Sequence, residues 1–150
     1  MAAQIFDHPV LQVFAEIHCI HDGVRDAIAE SLPPELTVPQ FEVLRLLDTR
    51  GDGLTPAEIA EAVAAAKSGL TVTLQRLEAS GFVRVEPCAE DGRKKRVWVT
   101  EAGGRVYAQS VAAIRPKMDH LREAFTLDEF RAALPFLKAL RSWFKERDWA

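Results

Sequence analysis

Residues 54–103, LTPAEIAEAV AAAKSGLTVT LQRLEASGFV RVEPCAEDGR KKRVWVTEAG, decide the fold. Thr55-Pro56-Ala57-Glu58 is a helix start. The threonine hydroxyl can cap, the glutamate three places on can reach back, and proline at the first helical position loses no hydrogen bond. Ile59, Ala60 and Val63 continue that helix. After an alanine-rich turn, Ser68 is placed to cap a second helix through about Ser80, with Gly81 as its stop. Leu70, Leu74 and Leu77 share one face and are expected to bury against Ile59 and Val63, which turns Thr71, Val72, Gln75 and Arg76 outward. Val83-Arg84-Val85-Glu86 and Arg96-Val97-Trp98-Val99-Thr100 alternate as strands do. The polar link Ala89-Glu90-Asp91-Gly92-Arg93-Lys94 joins them into a hairpin with a basic tip. Two short helices followed by such a hairpin describe a winged helix-turn-helix.

The flanks read as helices. Upstream, Thr37-Val38-Pro39-Gln40 opens a helix through Phe41, Val43, Leu44, Leu46 and Leu47 that ends before Gly51-Asp52-Gly53. Leu54 is a candidate minimal strand against the hairpin. Pro33-Pro34 separates this helix from an earlier one, where Val10, Phe14, Ile17, Val24 and Ile28 fall at helical spacings, widened by Leu11, Val13 and Ile20. Downstream, Thr100 caps a long helix from Glu101, with Pro116 as a possible bend point. Thr126-Leu127-Asp128-Glu129 starts a last helix carrying Phe130, Leu134, Leu137, Leu140 and Phe144 along one side, which Pro135 is expected to bend or split. The fold class is therefore mainly α with a β-hairpin wing (α+β), in the order α-α-α-α-β-β-α-α. The apolar stripes on the terminal helices exceed what one small domain can cover, which predicts a homodimer.

Composition narrows the function. The 150 residues carry a net charge of −3, but from Lys67 to Arg105 eight basic residues face five acidic ones, so that span is +3 and the rest −6. A basic middle between acidic flanks suits local contact with phosphates. The start, Met1 to Pro9, shows no charged region followed by an apolar run, and no stretch has the length of a membrane span. Cys19 and Cys88 stand far apart in no paired spacing, which with the preceding points predicts a cytoplasmic protein with free thiols. No Gly-rich phosphate loop, zinc motif or Gly-x-Ser-x-Gly elbow occurs, so no enzyme, catalytic residue, metal or cofactor is expected.

From Leu36 to Phe41, from Leu54 to Ala60, at Ser68 to Thr71, Arg76-Leu77-Glu78, Gly81-Phe82-Val83, Asp91-Gly92-Arg93 and Val99-Thr100-Glu101-Ala102-Gly103, the sequence resembles the MarR family of bacterial regulators. The resemblance implies an N-terminal dimerisation helix in residues 1–35, a DNA-binding winged helix-turn-helix in 36–103 and C-terminal dimerisation helices in 104–150. It implies a sequence-specific regulator, a repressor by expectation, acting on a palindromic operator and relieved by a small apolar or phenolic effector. Ser68 and Thr71 match positions that contact DNA, and Asp91-Gly92-Arg93 matches the wing signature. The chain departs from the family at Val72, where many relatives carry arginine, and at Gly69, where a hydroxyl residue is frequent. That removes one guanine contact and moves specificity towards the wing and DNA shape.

Physical chemistry assigns roles to the same residues. Thr71, Val72, Gln75 and Arg76 are suited to meet base edges in a major groove, and the helix amides beside Ser68 to hold a phosphate. Arg93, oriented by Asp91, suits a narrow minor groove, while Lys94, Lys95 and Arg96 add phosphate contacts. The alternatives are a solvated amphipathic helix and a charged turn guarding a sheet edge, which would leave a protein–protein interaction module. His18-Cys19-Ile20-His21 raises a thiol-based redox or metal reading. His18 and Cys19 point about 100° apart on a helix and no third ligand is evident, so the expectation is a buried thiol and ordinary helix histidines. Cys88, near the expected DNA surface, is given the same bland role. Trp98, Trp143 and Trp149 read as packing or interface residues.

Overall fold

The computed structural model describes residues 8–51, 53–63, 67–88 and 94–146. The elements are α1 (Pro9–Ala29), α2 (Val38–Arg50), α3 (Pro56–Ala62), α4 (Lys67–Ala79), β1 (Val83–Pro87), β2 (Lys95–Val99), α5 (Glu101–Ala124) and α6 (Leu127–Glu146). This is the order expected from the sequence. The chain divides into two compact units, Met1–Ile114 and Arg115–Ala150, with α5 running across the division.

The helix starts follow from their capping side chains. At α2, the Thr37 N–H and hydroxyl both donate to Gln40 Oε1 at 2.8 Å. At α3, the Thr55 N–H (2.7 Å) and hydroxyl (2.8 Å) donate to Glu58 Oε2, and Thr55 Oγ1 accepts from the Glu58 N–H at 3.3 Å. Thr126 and Glu129 repeat this box at α6. Two donors on each carboxylate favour its charged form, so Glu58 and Glu129 are held below the ordinary carboxylate range, chiefly by the backbone N–H of the threonine. A pKa lowered in the folded state stabilises above the unfolded value, and the contribution is lost as pH falls through the folded one. Glu58→Gln is therefore expected to flatten the acid limb of a plot of melting temperature against pH. An unchanged limb would exclude this cap from acid unfolding.

One local expectation is corrected and another is narrowed. Ser68 lies inside α4, which begins at Lys67, so it is not the cap that precedes the helix. Pro135 does not split α6, nor Pro116 α5; both helices run through their prolines. Each proline removes one hydrogen bond from a helix of 20 residues or more, and the Thr126 box and the Arg131–Asp128 pair hold the first turn of α6.

The core sits in the first unit. Phe41, Val43, Leu44, Leu46 and Leu47 bury α2 on most of its circumference. Ile59 and Ala60 of α3, Leu70, Leu74 and Leu77 of α4, Val83 and Val97 of the hairpin, and Val106 and Ile114 of α5 complete it. Ile28 and Leu32 carry the end of α1 and the turn after it onto this core. Each fully buried leucine, isoleucine or valine contributes about 1.5–3 kcal/mol. After α4 the chain turns at Gly81 (φ +71°), the expected stop. Thr100 then locks α5 to that turn: its hydroxyl donates to the Gly81 carbonyl at 2.6 Å and accepts from the Gly103 N–H at 3.0 Å.

In the second unit α6 packs little of its own surface. Phe125 and Phe130 meet edge to face at 6.2 Å, and Trp143 and Phe144 at 5.1 Å. Phe130, Leu134, Phe136, Leu137, Trp143 and Phe144 are all exposed on the single chain.

Candidate nucleic-acid interface

Leucine spacing orients α4. Leu70, Leu74 and Leu77 are buried, as predicted, and Thr71, Val72, Gln75 and Arg76 are exposed, Val72 to 46%. Nothing lies within 4 Å of where a Gly69 side chain would begin, so the backbone is open on that side. Thr73, between the two faces, returns its hydroxyl to the Gly69 carbonyl at 2.9 Å. The outer face of α4 thus offers a hydroxyl, a methyl pair, an amide and a guanidinium.

The hairpin pairs Val83 with Val99, Val85 with Val97 and Pro87 with Lys95. Leu54 adds the expected single bridge to Val97. Val97 spends both backbone groups on that third segment: its N–H donates to the Leu54 carbonyl and its carbonyl accepts from the Gly53 N–H, each at 2.9 Å. In an antiparallel ladder the facing Val85 then directs its own N–H to the far edge. There Glu78 of α4 accepts it at 3.2 Å. The hairpin is therefore held to α4 along one edge and to the chain before α3 along the other. No sequence pattern marks the Glu78 tie, because it joins residues seven apart across a turn.

Lys94 and Lys95 are exposed at the end of the ladder, where the Cys88 N–H donates to the Lys94 carbonyl at 2.7 Å. Asp91 and Arg93 lie outside the described residues, as does the Ser68 side chain. Arg96 is expected from the sequence to contact phosphate. It is half-buried, and its Nη1 donates to the Gly53 carbonyl at 2.6 Å. Trp98 is a packing residue as expected, with the Arg84 guanidinium 5.6 Å over its ring. Trp143 is exposed, and Trp149 lies outside the described residues. Cys19 is exposed on α1, not buried, because the face of α1 that carries it meets no core. His18 pairs with Asp22 at 3.4 Å. Among the described residues no three His, Cys, Asp or Glu side chains are grouped to hold a metal ion, and no helix is long and apolar enough to cross a membrane.

Residues 35–94 match the sequence model of the MarR family. The transcriptional regulator HosA of Escherichia coli is 36% identical over 78 residues, 52% of this chain and 57% of HosA. The fold agrees with a crystal structure of a cysteine-to-serine mutant of Escherichia coli MarR complexed with operator DNA, at a TM-score of 0.77 and 25% identity, covering 87% of this chain and 94% of that one. Over residues 35–94 the chain is similar to the MarR family. Another relative is the HTH-type transcriptional regulator TtmR of Methylorubrum extorquens, 33% identical over 135 residues, 86% of this chain and 63% of TtmR. The chain thus spans less than two thirds of the length of the curated relatives it matches. The family's winged helix-turn-helix is the layout described above: α3 and α4, then the hairpin.

Proposed function

We propose that this protein is a sequence-specific DNA-binding transcriptional regulator, a repressor working as a homodimer on a palindromic operator and relieved by a small apolar or phenolic effector. One observation carries the reading. α4 buries Leu70, Leu74 and Leu77 and presents Thr71, Val72, Gln75 and Arg76 outward, next to a hairpin that exposes Lys94 and Lys95. A helix of these dimensions fits a major groove, and short polar side chains on its first half reach base edges. Residues 91–93 then follow the duplex into the neighbouring minor groove, Arg93 gaining from its negative potential. Residues 1–35 and 104–150 supply the dimer contacts, and pairing two recognition helices about one turn of DNA apart accounts for the palindrome.

A gel-shift and footprint on the DNA upstream of the protein's own gene, titrated with salt, tests this. Binding should weaken steeply with salt and protect two half-sites about 10 base pairs apart. Absence of any protected site at moderate salt would leave the module a protein-binding one. Arg93→Ala is expected to weaken operator binding by about 1–3 kcal/mol with the dimer unchanged, and equal affinity at physiological salt would remove the wing from the mechanism. Thr71→Ala and Gln75→Ala should change the ranking of operator variants more than binding to random DNA. Equal losses on both would reduce these residues to positioning contacts.

A further inference from the structure

We infer that Arg96 is a positioning residue that sets the direction of the wing, and not a phosphate contact like its neighbours Lys94 and Lys95; this rests on the DNA-binding reading above. Just after β1 and just before β2, Cys88 and Lys94 form two stalks joined by a 2.7 Å hydrogen bond from the Cys88 N–H to the Lys94 carbonyl. A two-stranded hairpin is marginal on its own and needs lateral support to point anywhere in particular. Arg96 supplies that support at the base of both stalks. Its Nε donates to Cys88 Sγ at 3.5 Å, and its Nη1 to the Gly53 carbonyl at 2.6 Å. One planar guanidinium thus grips the end of β1 and the segment before α3 at once, a two-point hold that its rigid fork provides and an ammonium does not.

The receiving side is equally defined. Gly53 adopts φ +81°, and a Cβ there would lie 2.9 Å from the Trp98 ring, so the backbone passes too close to that ring for any side chain. The Gly53 N–H donates to Val97, one residue beyond Arg96, which anchors the acceptor to the same strand that carries the donor. The guanidinium also helps to hold the Glu58 carboxylate in its charged form, which brings its field to the first turn of α3. The arrangement joins the hairpin and the segment before α3 through one side chain. Lys94 and Lys95 beside it stay exposed.

A mutant cycle on the dimer separates positioning from contact. Each phosphate contact contributes about 0.9 to the slope of log affinity against log salt. Lys94→Ala with Lys95→Ala is expected to lower the slope by roughly four such steps, two from each protomer. Arg96→Met, which keeps the stem and removes the donors, should cost nearly as much slope by itself, because it misdirects both lysines. With all three substitutions together there should be little further loss. Additive losses, with Arg96→Met removing two steps of slope, one from each protomer, in either background, make Arg96 an ordinary contact and overturn the proposal, as does unaltered binding by Arg96→Met.

Hydrogen exchange without DNA gives an independent reading. The Gly53 and Val97 amides should exchange at least tenfold faster in Arg96→Met while those of Leu44 and Leu47 stay protected. No acceleration would mean that the tie does not hold the loop. If Arg96→Met fails to fold, Arg96→Lys replaces it in the cycle. A phosphate contact survives that change, whereas the two-point hold loses affinity. Unmodified protein that shows no salt-dependent binding to duplex DNA brings down the DNA reading itself, while the exchange experiment still reports on the tie.

Discussion

Replacing Gly103 with alanine is expected to destabilise the winged domain by about 3 kcal/mol or more, lowering its melting temperature by roughly 10 °C. A Cβ at that position would lie 2.0 Å from the Phe82 carbonyl oxygen and 3.1 Å from a Val99 methyl. The obstruction is backbone, so no rotamer change relieves it. α5 would have to lift from the turn between α4 and β1, and the lift would break the Thr100 hydroxyl's bond to Gly81 and its N–H bond to the Phe82 carbonyl. Gly104, one residue along the same helix, is the internal control. Nothing lies within 4 Å of its added Cβ. There alanine should stabilise by about 0.5–1 kcal/mol through helix propensity alone. Thermal melts of the two variants should move in opposite directions. A Gly103→Ala protein that melts within a degree or two of the unmodified one would show that α5 and the turn do not approach as described.

That pair of glycines shows what was readable and what was not. The capping boxes at Thr55 and Thr126 and the Leu70-Leu74-Leu77 face follow from rules acting over three to seven residues, and all were legible. Gly103 is conspicuous in the sequence only as part of a family resemblance. Its physical reason, a carbonyl 21 positions earlier, needs the fold. Arg96 is the sharper case. A run of Arg93-Lys94-Lys95-Arg96 reads as four equivalent cations, yet strand alternation turns alternate side chains to opposite faces, and Arg96 meets a carbonyl 43 residues away in sequence. The start of α4 lies two residues before the one that Ser68 as a cap implies, because helix ends are set by the backbone of residues that flank the cap, and Cys19 was misjudged because a helical stripe does not say whether the chain itself supplies its cover.

The same missing cover drives the second large effect. On the single chain α1 leaves Val10, Leu11, Ile17, Ile20 and Val24 exposed, Ile20 to 61%, and α6 leaves Phe130, Leu134, Phe136, Leu137, Trp143 and Phe144 exposed, Phe136 to 56%. So many large exposed apolar side chains on two helices are uncommon on monomers. A two-fold interface that takes both helices removes roughly 2,000 Å² or more from water, the range of obligate dimers. The 150-residue chain is therefore expected to sediment at twice its 16.7 kDa mass down to low micromolar concentration. Leu134→Glu with Leu137→Glu places two charges in the middle of the α6 stripe, and leaves the winged domain's own core residues untouched. It should give monomer, or aggregate, with helical content in the first unit retained. Each half-site is then bound alone, and losing the linked second site should weaken operator binding by about 10²–10⁴, with little change for a single half-site. Sedimentation of the unmodified protein as a folded monomer would overturn the dimer and the palindrome together. A double-glutamate variant that remains dimeric would move the interface away from α6 and onto α1.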